Sequence, residues 1–301
     1  MRRSRSSHRL VAAAILLCAG VLRAEQQVTQ PYLGITYIDR TESVPRALRM
    51  HIAQIDLTAP GLRFKLTPPA GPREVVRQTT LEFMTQEHAQ LAVNAHFFLP
   101  FPSADRDAWV IGIAASDGRV YSAFESPEQD YALLADAPGI NIDRDNHAAI
   151  VHRRLRQGSG GEGDDGTRVR EPVTLWTTVA GSAQIVTGGE RSIPDLEWYR
   201  AVQARTAIGL SRDGRTLTLF TVDKSGGSEG MQVGEVADLL RRDYDVWDAL
   251  NLDGGGSTTM AMEDPVTHVP ALVNASSDKD TASGRPVGSS LAVFARPVPS
   301  P

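Results

Sequence analysis

The chain has 301 residues, of which 41% are hydrophobic and 22% are charged, an ordinary balance for a soluble globular protein with a sizeable core. The formal net charge is −5 and no basic stripe dominates, which argues against nucleic acid as a partner. The only cysteine is Cys18, inside the N-terminal segment, so a processed chain would have neither a thiol nucleophile nor a cysteine-ligated metal.

The first 24 residues predict a secretory signal peptide that is cleaved after Ala24. Four arginines precede a 13-residue apolar run, and that run is too short for a comfortable membrane span. No stable membrane insertion is therefore expected after cleavage, and the mature chain is expected to be periplasmic or secreted. Two alternatives stay open: an uncleaved anchor, because the bulky Leu22 stands three residues from the cleavage point, and lipid attachment at Cys18, although Leu17 before it is bulky.

The first half of the mature chain is predicted to consist mainly of strands. Thr79 followed by Glu82 is the pattern of a capping box, which opens a helix, and Asp117-Gly118 is typical of a hairpin turn. In chain order the predicted elements are a strand over 30–40, strands that end in turn signals within 46–60 and 62–72, a helix from Thr79 to about Gln90, a buried strand over 91–94, and a hairpin over 109–124.

The second half adds another hairpin over 206–223, a helix over 233–244 from its apolar spacing, an extended run over 246–253 and a closing strand within 288–297. The segment 156–167 has no apolar residue and is interpreted as a flexible surface insertion, with a domain boundary as the alternative. The pattern predicts an α+β fold: a single domain over 25–301, with one large mixed, mainly antiparallel sheet flanked by a few helices.

The stretch "NLDGGGSTT" combines three consecutive glycines with acidic, amide and hydroxyl side chains. On a strand, Leu250 and Leu252 would face the core while Asn251 and Asp253 share the other face. Glycines at a strand end let a ligand approach the backbone and its N–H donors. The candidate substrate-binding residues here are Asn251, Gly254, Gly255, Gly256, Ser257 and Thr258.

These glycines do not belong to a known nucleotide loop. The dinucleotide fingerprint requires G-x-G-x-x-G and the P-loop requires a lysine after its glycines, and neither pattern is present. A tight turn whose glycines are required by packing is the structural alternative.

In chain order the sequence carries the motifs "LAVNAHFF", "AGSAQIVTGG", "RTAIGLSRDGRTLTLFTVD", "GSEGMQVGEVADLL", "DALNLDGGGSTTM" and "RPVGSSLAVF". This ordered set resembles the phosphodiester glycosidase family over roughly residues 46 to 295. The specific signal is D-G-G-G-S with its preceding helix, whereas the hairpins alone would be weak. Two departures, His96 and Lys224, leave the identity of the sugar open.

The resemblance implies hydrolysis of a sugar–phosphate linkage at the anomeric carbon. A glycosidase normally uses two carboxyl groups, but a phosphate leaving group is a weak base, so stabilising its charge matters more than protonating it. Asp253 is the first candidate for the essential carboxylate, with Asp223 or Glu229 as the second, and Arg205 is the candidate phosphate ligand. Each has a structural alternative, as a turn cap, a helix-start residue or a surface arginine.

Asn94 and His96 complete the candidate substrate-binding set, as a sugar ligand and a pocket-lining residue. The alternatives are a loop anchor for Asn94 and a satisfied core histidine for His96. The other histidines show no metal-ligand spacing. The sequence shows no required cofactor, any metal stays unknown, and calcium on surface carboxylates stays open.

The leading hypothesis is an exported hydrolase that cleaves a sugar-1-phosphodiester in an envelope or extracellular glycan. The alternatives are a non-catalytic periplasmic glycan-binding protein and a glycosidase that acts on ordinary glycosidic bonds.

Overall fold

A computed structural model describes residues 24–124, 136–154, 166–275, 277–278 and 283–299. The predicted signal peptide up to residue 23, with Cys18, lies outside the described residues, and so does the predicted insertion except for its last two positions. Signal cleavage and the insertion therefore stay predictions.

The described chain contains many short strands and few helices. In chain order the strands are β1 (Glu25–Tyr32), β2 (Ile35–Glu42), β3 (Leu48–Asp56), β4 (Arg63–Leu66), β5 (Val75–Val76), β6 (Leu91–Asn94), β7 (Phe98–Leu99), β8 (Asp107–Val110), β9 (Ala114–Ser116), β10 (Arg119–Ser122), β11 (Gly139–Ile142), β12 (Ala148–Val151), β13 (Thr177–Ala180), β14 (Ala183–Thr187), β15 (Glu190–Arg191), β16 (Arg205–Ser211), β17 (Thr216–Val222), β18 (Val246–Asn251), β19 (Met260–Glu263), β20 (Pro270–Leu272) and β21 (Ser290–Phe294). The α-helices are α1 (Thr80–Glu87), α2 (Glu197–Arg200) and α3 (Val233–Asp243).

These strands form four sheets, and every pairing between named strands in the described part of the chain is antiparallel. The largest sheet has eight strands in the order β1-β2-β3-β17-β16-β18-β14-β15. Two five-stranded sheets have the orders β10-β9-β13-β11-β12 and β20-β19-β6-β21-β4, and a three-stranded sheet has the order β5-β8-β7.

The main core lies between sheets. Ile55 of the eight-stranded sheet, Val93 of one five-stranded sheet and Ile140 of the other belong to the same buried cluster. Strand β17 illustrates the alternation: Leu219 faces this core, while Phe220 faces a second core on the opposite side. The apolar faces of the sheets therefore cover one another.

The prediction of a helix-flanked α+β fold with one large mixed sheet is wrong. The described residues are mostly strand, in four sheets, with only three α-helices. Helix α3 covers part of the eight-stranded sheet, and α1 packs its Phe83 on a small local cluster. The sequence shows both the alternation of the strands and the spacing of the helices. Whether a sheet packs against another sheet or against helices depends on contacts between distant segments.

Local patterns predicted individual elements well. The side chain of Thr79 accepts from the Glu82 N–H, and Glu82 accepts from the Thr79 N–H, so the capping box that opens α1 is confirmed. Both hairpins are confirmed, as β9–β10 and β16–β17, and so are α3 and the closing strand. The single strand over 30–40 is wrong, because Gly34 adopts a φ of +80° in a turn that separates β1 from β2.

Buried polar side chains lie at one end of the core between the sheets, and the candidate site lies next to them. Thr206 and Asp223 lie on the inward face of β16 and just past β17, and Asn94 ends β6 opposite them. All three are buried. Among the described residues, no helix is long and apolar enough to cross a membrane.

Candidate active site

The glycine stretch lies at a cavity of about 530 Å³. One wall is the segment that follows β18, and the other walls come from β7 and its neighbouring loops and from α2. The lining residues are Phe97, Phe98, Phe101, Ile111, Trp198, Asp253, Gly254, Gly255, Gly256, Ser257 and Arg285. The polar groups are thus concentrated along the glycine segment, opposite an apolar wall rich in aromatic rings.

Asn94 fixes the backbone of this segment from beneath. Its Nδ2 donates to the carbonyl oxygen of Asp253 at 2.7 Å, and its Oδ1 accepts from the Thr259 N–H at 3.0 Å. The same Oδ1 accepts from the Thr206 hydroxyl at 2.8 Å. Asn94 is fully buried and does not line the cavity. The geometry gives it a positioning role, which corresponds to the loop-anchor alternative.

The three glycines meet three different requirements. A Cβ on Gly254 would lie 2.9 Å from the Ala204 carbonyl oxygen, so the backbones there approach too closely for a side chain. Gly255 has a φ of +59°, and its Cβ would enter open space with no atom within 4 Å. A Cβ on Gly256 would lie 2.1 Å from the Arg285 Nη2 and 2.3 Å from the Asp278 Oδ1. Packing alone therefore accounts for Gly254 but not for Gly255.

Most N–H groups of this turn already have acceptors inside the protein. Gly254 donates to the Oδ1 of Asp253 at 2.9 Å, and Gly255 donates to the Ala204 carbonyl at 2.8 Å. Only the Gly256 N–H lacks a partner among the described residues. At most one glycine N–H is therefore available to a ligand in this conformation.

Asp253 is the carboxylate that the cavity exposes. It is partly buried beside the apolar wall, and this desolvation raises the pKa of Asp253 to about 7. Hydrogen bonds from the Ser257 side chain and the Gly254 N–H, and the positive charge of Arg285, oppose the rise. A carboxyl with this pKa is partly ionised at neutral pH and is suited to accept a proton.

Arg285 is the cation of the cavity. Its Nε and Nη2 donate to the two carboxylate oxygens of Asp278 at 2.6 and 2.8 Å, which fixes the plane of the guanidinium. Its Nη1 lies 3.4 Å from the Ser257 hydroxyl, and the guanidinium carbon lies 4.8 Å from the ring centre of Phe101. This cation is held rigidly at the Gly256 end of the turn.

Arg205, the predicted phosphate ligand, has its donors directed at backbone carbonyls. Its Nε donates to Met231 at 3.1 Å, and its Nη2 donates to Trp198 and Ala201. It is 5% exposed and does not line the cavity, and burial lowers the pKa of Arg205 to about 10. In this arrangement Arg205 ties α2 and the segment before α3 to β16.

The two candidates for a second carboxylate lie away from the cavity lining. Asp223 is fully buried and accepts from the Asn274 Nδ2 at 3.1 Å and from the Ala275 N–H at 3.0 Å. Its Oδ2 also lies 3.5 Å from the Nε2 of His51. Glu229 is exposed in the segment before α3. Among the described lining residues, Asp253 is the sole carboxylate.

His96 lies inside the core and not in the cavity lining. Its Nδ1 lies 2.8 Å from the Ser289 hydroxyl, and its Nε2 lies 2.9 Å from the Ala180 N–H. Complete burial lowers the pKa of His96 to about 4, so the ring is neutral. This environment corresponds to the satisfied core histidine.

The remaining candidates separate into two groups. Ser257 lines the cavity, whereas Thr258 and Asn251 are buried behind the turn. Asn251 and Asp253 do not share a face, because β18 ends at Asn251, whose Nδ2 donates to the Ser182 hydroxyl at 2.9 Å. The described residues contain no group of three or more His, Cys, Asp or Glu side chains placed to hold a metal ion.

Sequence reasoning missed Arg285, Asp278 and Trp198. Arg285 stands in the motif "RPVGSSLAVF", which resembles the closing segment of the family, so its position in a family motif is the available signal. Asp278 and Trp198 follow no strand end or turn pattern that would distinguish them from surface residues. The tertiary fold alone brings them to the cavity.

A family model described as phosphodiester glycosidase matches residues 87–294. N-acetylglucosamine-1-phosphodiester alpha-N-acetylglucosaminidase from mouse, and the same enzyme from human, are each 37% identical over 75 residues. This alignment covers 25% of this chain and only 14% of either enzyme.

Among solved structures, the catalytic domain of the zebrafish enzyme of the same name superposes with a TM-score of 0.60 at 19% identity. The match covers 95% of this chain and 87% of that domain. A putative exported protein from Burkholderia pseudomallei superposes with a TM-score of 0.55 at 14% identity, over 86% of this chain and 77% of that one. At these identities the two likenesses show a shared fold.

Proposed function

This chain belongs to the phosphodiester glycosidase family and is a glycosidase-type hydrolase, and we propose from that premise that it cleaves a sugar-1-phosphodiester at the bond between the anomeric carbon and the phosphate oxygen. The observation that carries the proposal is the pairing of Asp253 and Arg285 at opposite ends of one glycine turn, both in a cavity of about 530 Å³. That volume accommodates a sugar with its phosphate.

In the proposed reaction Asp253 acts as general base. It takes a proton from a water molecule, and the water oxygen bonds to the anomeric carbon while the carbon–oxygen bond to phosphate breaks. The phosphate departs with the electron pair as a phosphomonoester. A base with a pKa of about 7 is well matched to this transfer at neutral pH.

Arg285 stabilises the charge that develops on the departing phosphate. Its guanidinium is held along one edge by two hydrogen bonds to Asp278, so little reorganisation is needed as the charge grows. The N–H of Gly256, which has no partner among the described residues, lies at the same end of the turn and is the proposed second donor. We assign the phosphate position to Arg285 in place of Arg205, whose donors serve backbone carbonyls.

A single cavity carboxylate is compatible with this leaving group. Ordinary glycosidases need a carboxylic acid to protonate the leaving oxygen, but a phosphate oxygen leaves without full protonation. The absence of Asp223 and Glu229 from the described lining therefore favours a phosphodiester over an ordinary glycoside.

The test is release of free sugar from a panel of sugar-1-phosphodiesters by purified protein. N-acetylglucosamine 1-(methyl phosphate) is the first substrate, chosen because of the names of the mouse and human relatives. Asp253→Asn keeps the side-chain volume and should lower turnover by about 10²-fold or more. The matched control is Asp145→Asn, at an exposed position outside the cavity lining, which should keep full activity.

The outcomes separate the alternatives. Binding of sugar phosphodiesters without turnover by the native chain would identify a non-catalytic binding protein. Preference for aryl glycosides that lack phosphate would identify an ordinary glycosidase. Equal activity of Asp253→Asn and the native chain would refute the assignment of the base.

We further propose that the enzyme is exported and acts on an envelope or extracellular glycan, as one domain that begins near residue 25. The support is the N-terminal pattern of basic and apolar residues. N-terminal sequencing of the protein from its native host should find Glu25 first, whereas full-length protein in the cytoplasm would overturn the proposal.

A further inference from the structure

One aromatic ring of the cavity is exposed at its rim. Phe101 is 45% exposed, the only phenylalanine among the exposed large hydrophobic side chains of the described residues. It lines the cavity together with the buried Phe98, and the two ring centres lie 5.7 Å apart in an edge-to-face arrangement. An exposed apolar ring at the mouth of a cavity is a surface that a ligand could cover.

The loop that carries Phe101 is held in place by hydrogen bonds from Arg77. The guanidinium of Arg77 donates to the Pro100 carbonyl and, at 3.0 Å, to the Ser103 carbonyl, one on each side of Phe101. Its guanidinium carbon also lies 5.0 Å from the ring centre of Phe98. The ring is therefore presented at the rim by a fixed backbone.

The glycine turn orders the groups along the cavity. At its first end, Gly254 packs on Ala204, and the neighbouring Arg205 donates to the Trp198 carbonyl at 3.1 Å. At its other end, Gly256 packs on Arg285, whose guanidinium carbon lies 4.8 Å from the ring centre of Phe101. Asp253 thus precedes the glycine turn, Arg285 lies at its Gly256 end, and the ring of Phe101 is a direct neighbour of Arg285.

We propose that Phe101, supported by Phe98, forms a subsite for the aglycone on the far side of the phosphate, and that this subsite selects aglycones with an apolar, flat face such as an aryl group. The inference rests on the proposed function, which places the anomeric carbon at Asp253 and the phosphate at Arg285. A group attached to a phosphate at Arg285 then lies within reach of the exposed ring of Phe101, which neighbours Arg285 in the cavity lining. Stacking on this ring removes apolar surface of both partners from water.

The experiment compares N-acetylglucosamine 1-(phenyl phosphate) with the methyl phosphodiester of the same sugar, and includes the same pair for mannose, glucose and galactose. Binding to Asp253→Asn is measured by calorimetry, so the result does not depend on turnover. The phenyl diester should bind about tenfold more tightly than the methyl diester. Adding Phe101→Ser should abolish this preference while the affinity for the methyl diester changes by less than about twofold.

A matched control is Val266→Ser, which alters a side chain that is 84% exposed and lies outside the cavity lining, and which should keep the preference. Equal affinity for phenyl and methyl diesters, or an equal loss of both on Phe101→Ser, would overturn the aglycone subsite while leaving the proposed reaction intact. Turnover of the panel by the native chain reports on the reaction separately. Failure of every diester both to bind and to react would overturn both proposals.

Discussion

Replacing Asp253 by asparagine is expected to stabilise the folded protein at alkaline pH while it removes activity. The cavity wall raises the pKa of this carboxyl from its ordinary value of 3.8 to about 7. Below about pH 4 the group is protonated in both the folded and the unfolded chain. Between pH 4 and pH 7 the unfolded chain is ionised and the folded chain is still protonated, so the free energy of unfolding falls as the pH rises.

The size of this effect follows from the difference between the two pKa values. About three pKa units correspond to an upper value of ~4 kcal/mol, and the partial exposure of Asp253 reduces it, so we expect about 2–4 kcal/mol. Asparagine carries no charge and still accepts from the Gly254 N–H, so it avoids this penalty. The Asp253→Asn variant should therefore gain stability relative to the native protein between pH 4 and pH 8.

Urea unfolding of both proteins at pH 4 and pH 8 measures this gain. The same pair of experiments with the exposed Asp145→Asn should show no comparable growth with pH. In parallel, kcat/KM of the native enzyme should fall as the pH drops below about 7, because the proposed base must be ionised. A stability difference between Asp253→Asn and the native protein that is the same at both pH values would refute the argument.

Three further predictions concern neighbouring residues. Gly255→Ala should lower the free energy of unfolding by about 1–2 kcal/mol because of the positive φ at this position. It should also lower kcat/KM, because the added methyl group enters the cavity. Denaturation and kinetic measurements on the same variant check both effects, and an unchanged kcat/KM would contradict the prediction. Arg205→Ala should reduce the melting temperature, because it leaves buried backbone carbonyls without their hydrogen-bond donor. The KM of the remaining folded enzyme should be nearly unchanged, because Arg205 is not the phosphate ligand; a selective rise in KM for phosphodiesters would contradict this. Asp223→Asn should lower the stability of the fold, because Asp223 accepts two buried hydrogen bonds, but it should lower kcat by less than tenfold. The comparison is with Asp253→Asn, and an equal loss of kcat in both variants would indicate that Asp223 is catalytic.

The sequence predicted elements where a local pattern suffices. The Thr79 capping box, the Asp117-Gly118 turn and the spacing of α3 each depend on residues within a few positions of one another. The fold class was wrong because the decision between sheets that cover each other and helices that cover a sheet depends on distant contacts. The alternation of apolar residues along β17 is compatible with packing against another sheet or against a helix.

The candidate site divides in the same way. Asp253 and the glycines could be found because they form one continuous stretch next to a strand end, and they do line the cavity. The sequence alone does not distinguish Arg205 from Arg285 as the phosphate ligand, because both arginines stand in motifs that resemble those of the family. What distinguishes them is the set of backbone carbonyls around Arg205, and these come from residues up to 26 positions away.

The three hydrogen bonds of Asn94 have a consequence for how the protein melts. This one buried side chain joins β16 of the eight-stranded sheet to both ends of the glycine turn, through Thr206, Asp253 and Thr259. The turn cannot open without breaking the junction between two sheets, so it belongs to the same cooperative unit as the core. Hydrogen exchange at the Thr259 amide should then proceed only through global unfolding, and heat should abolish activity and tertiary structure along a single curve.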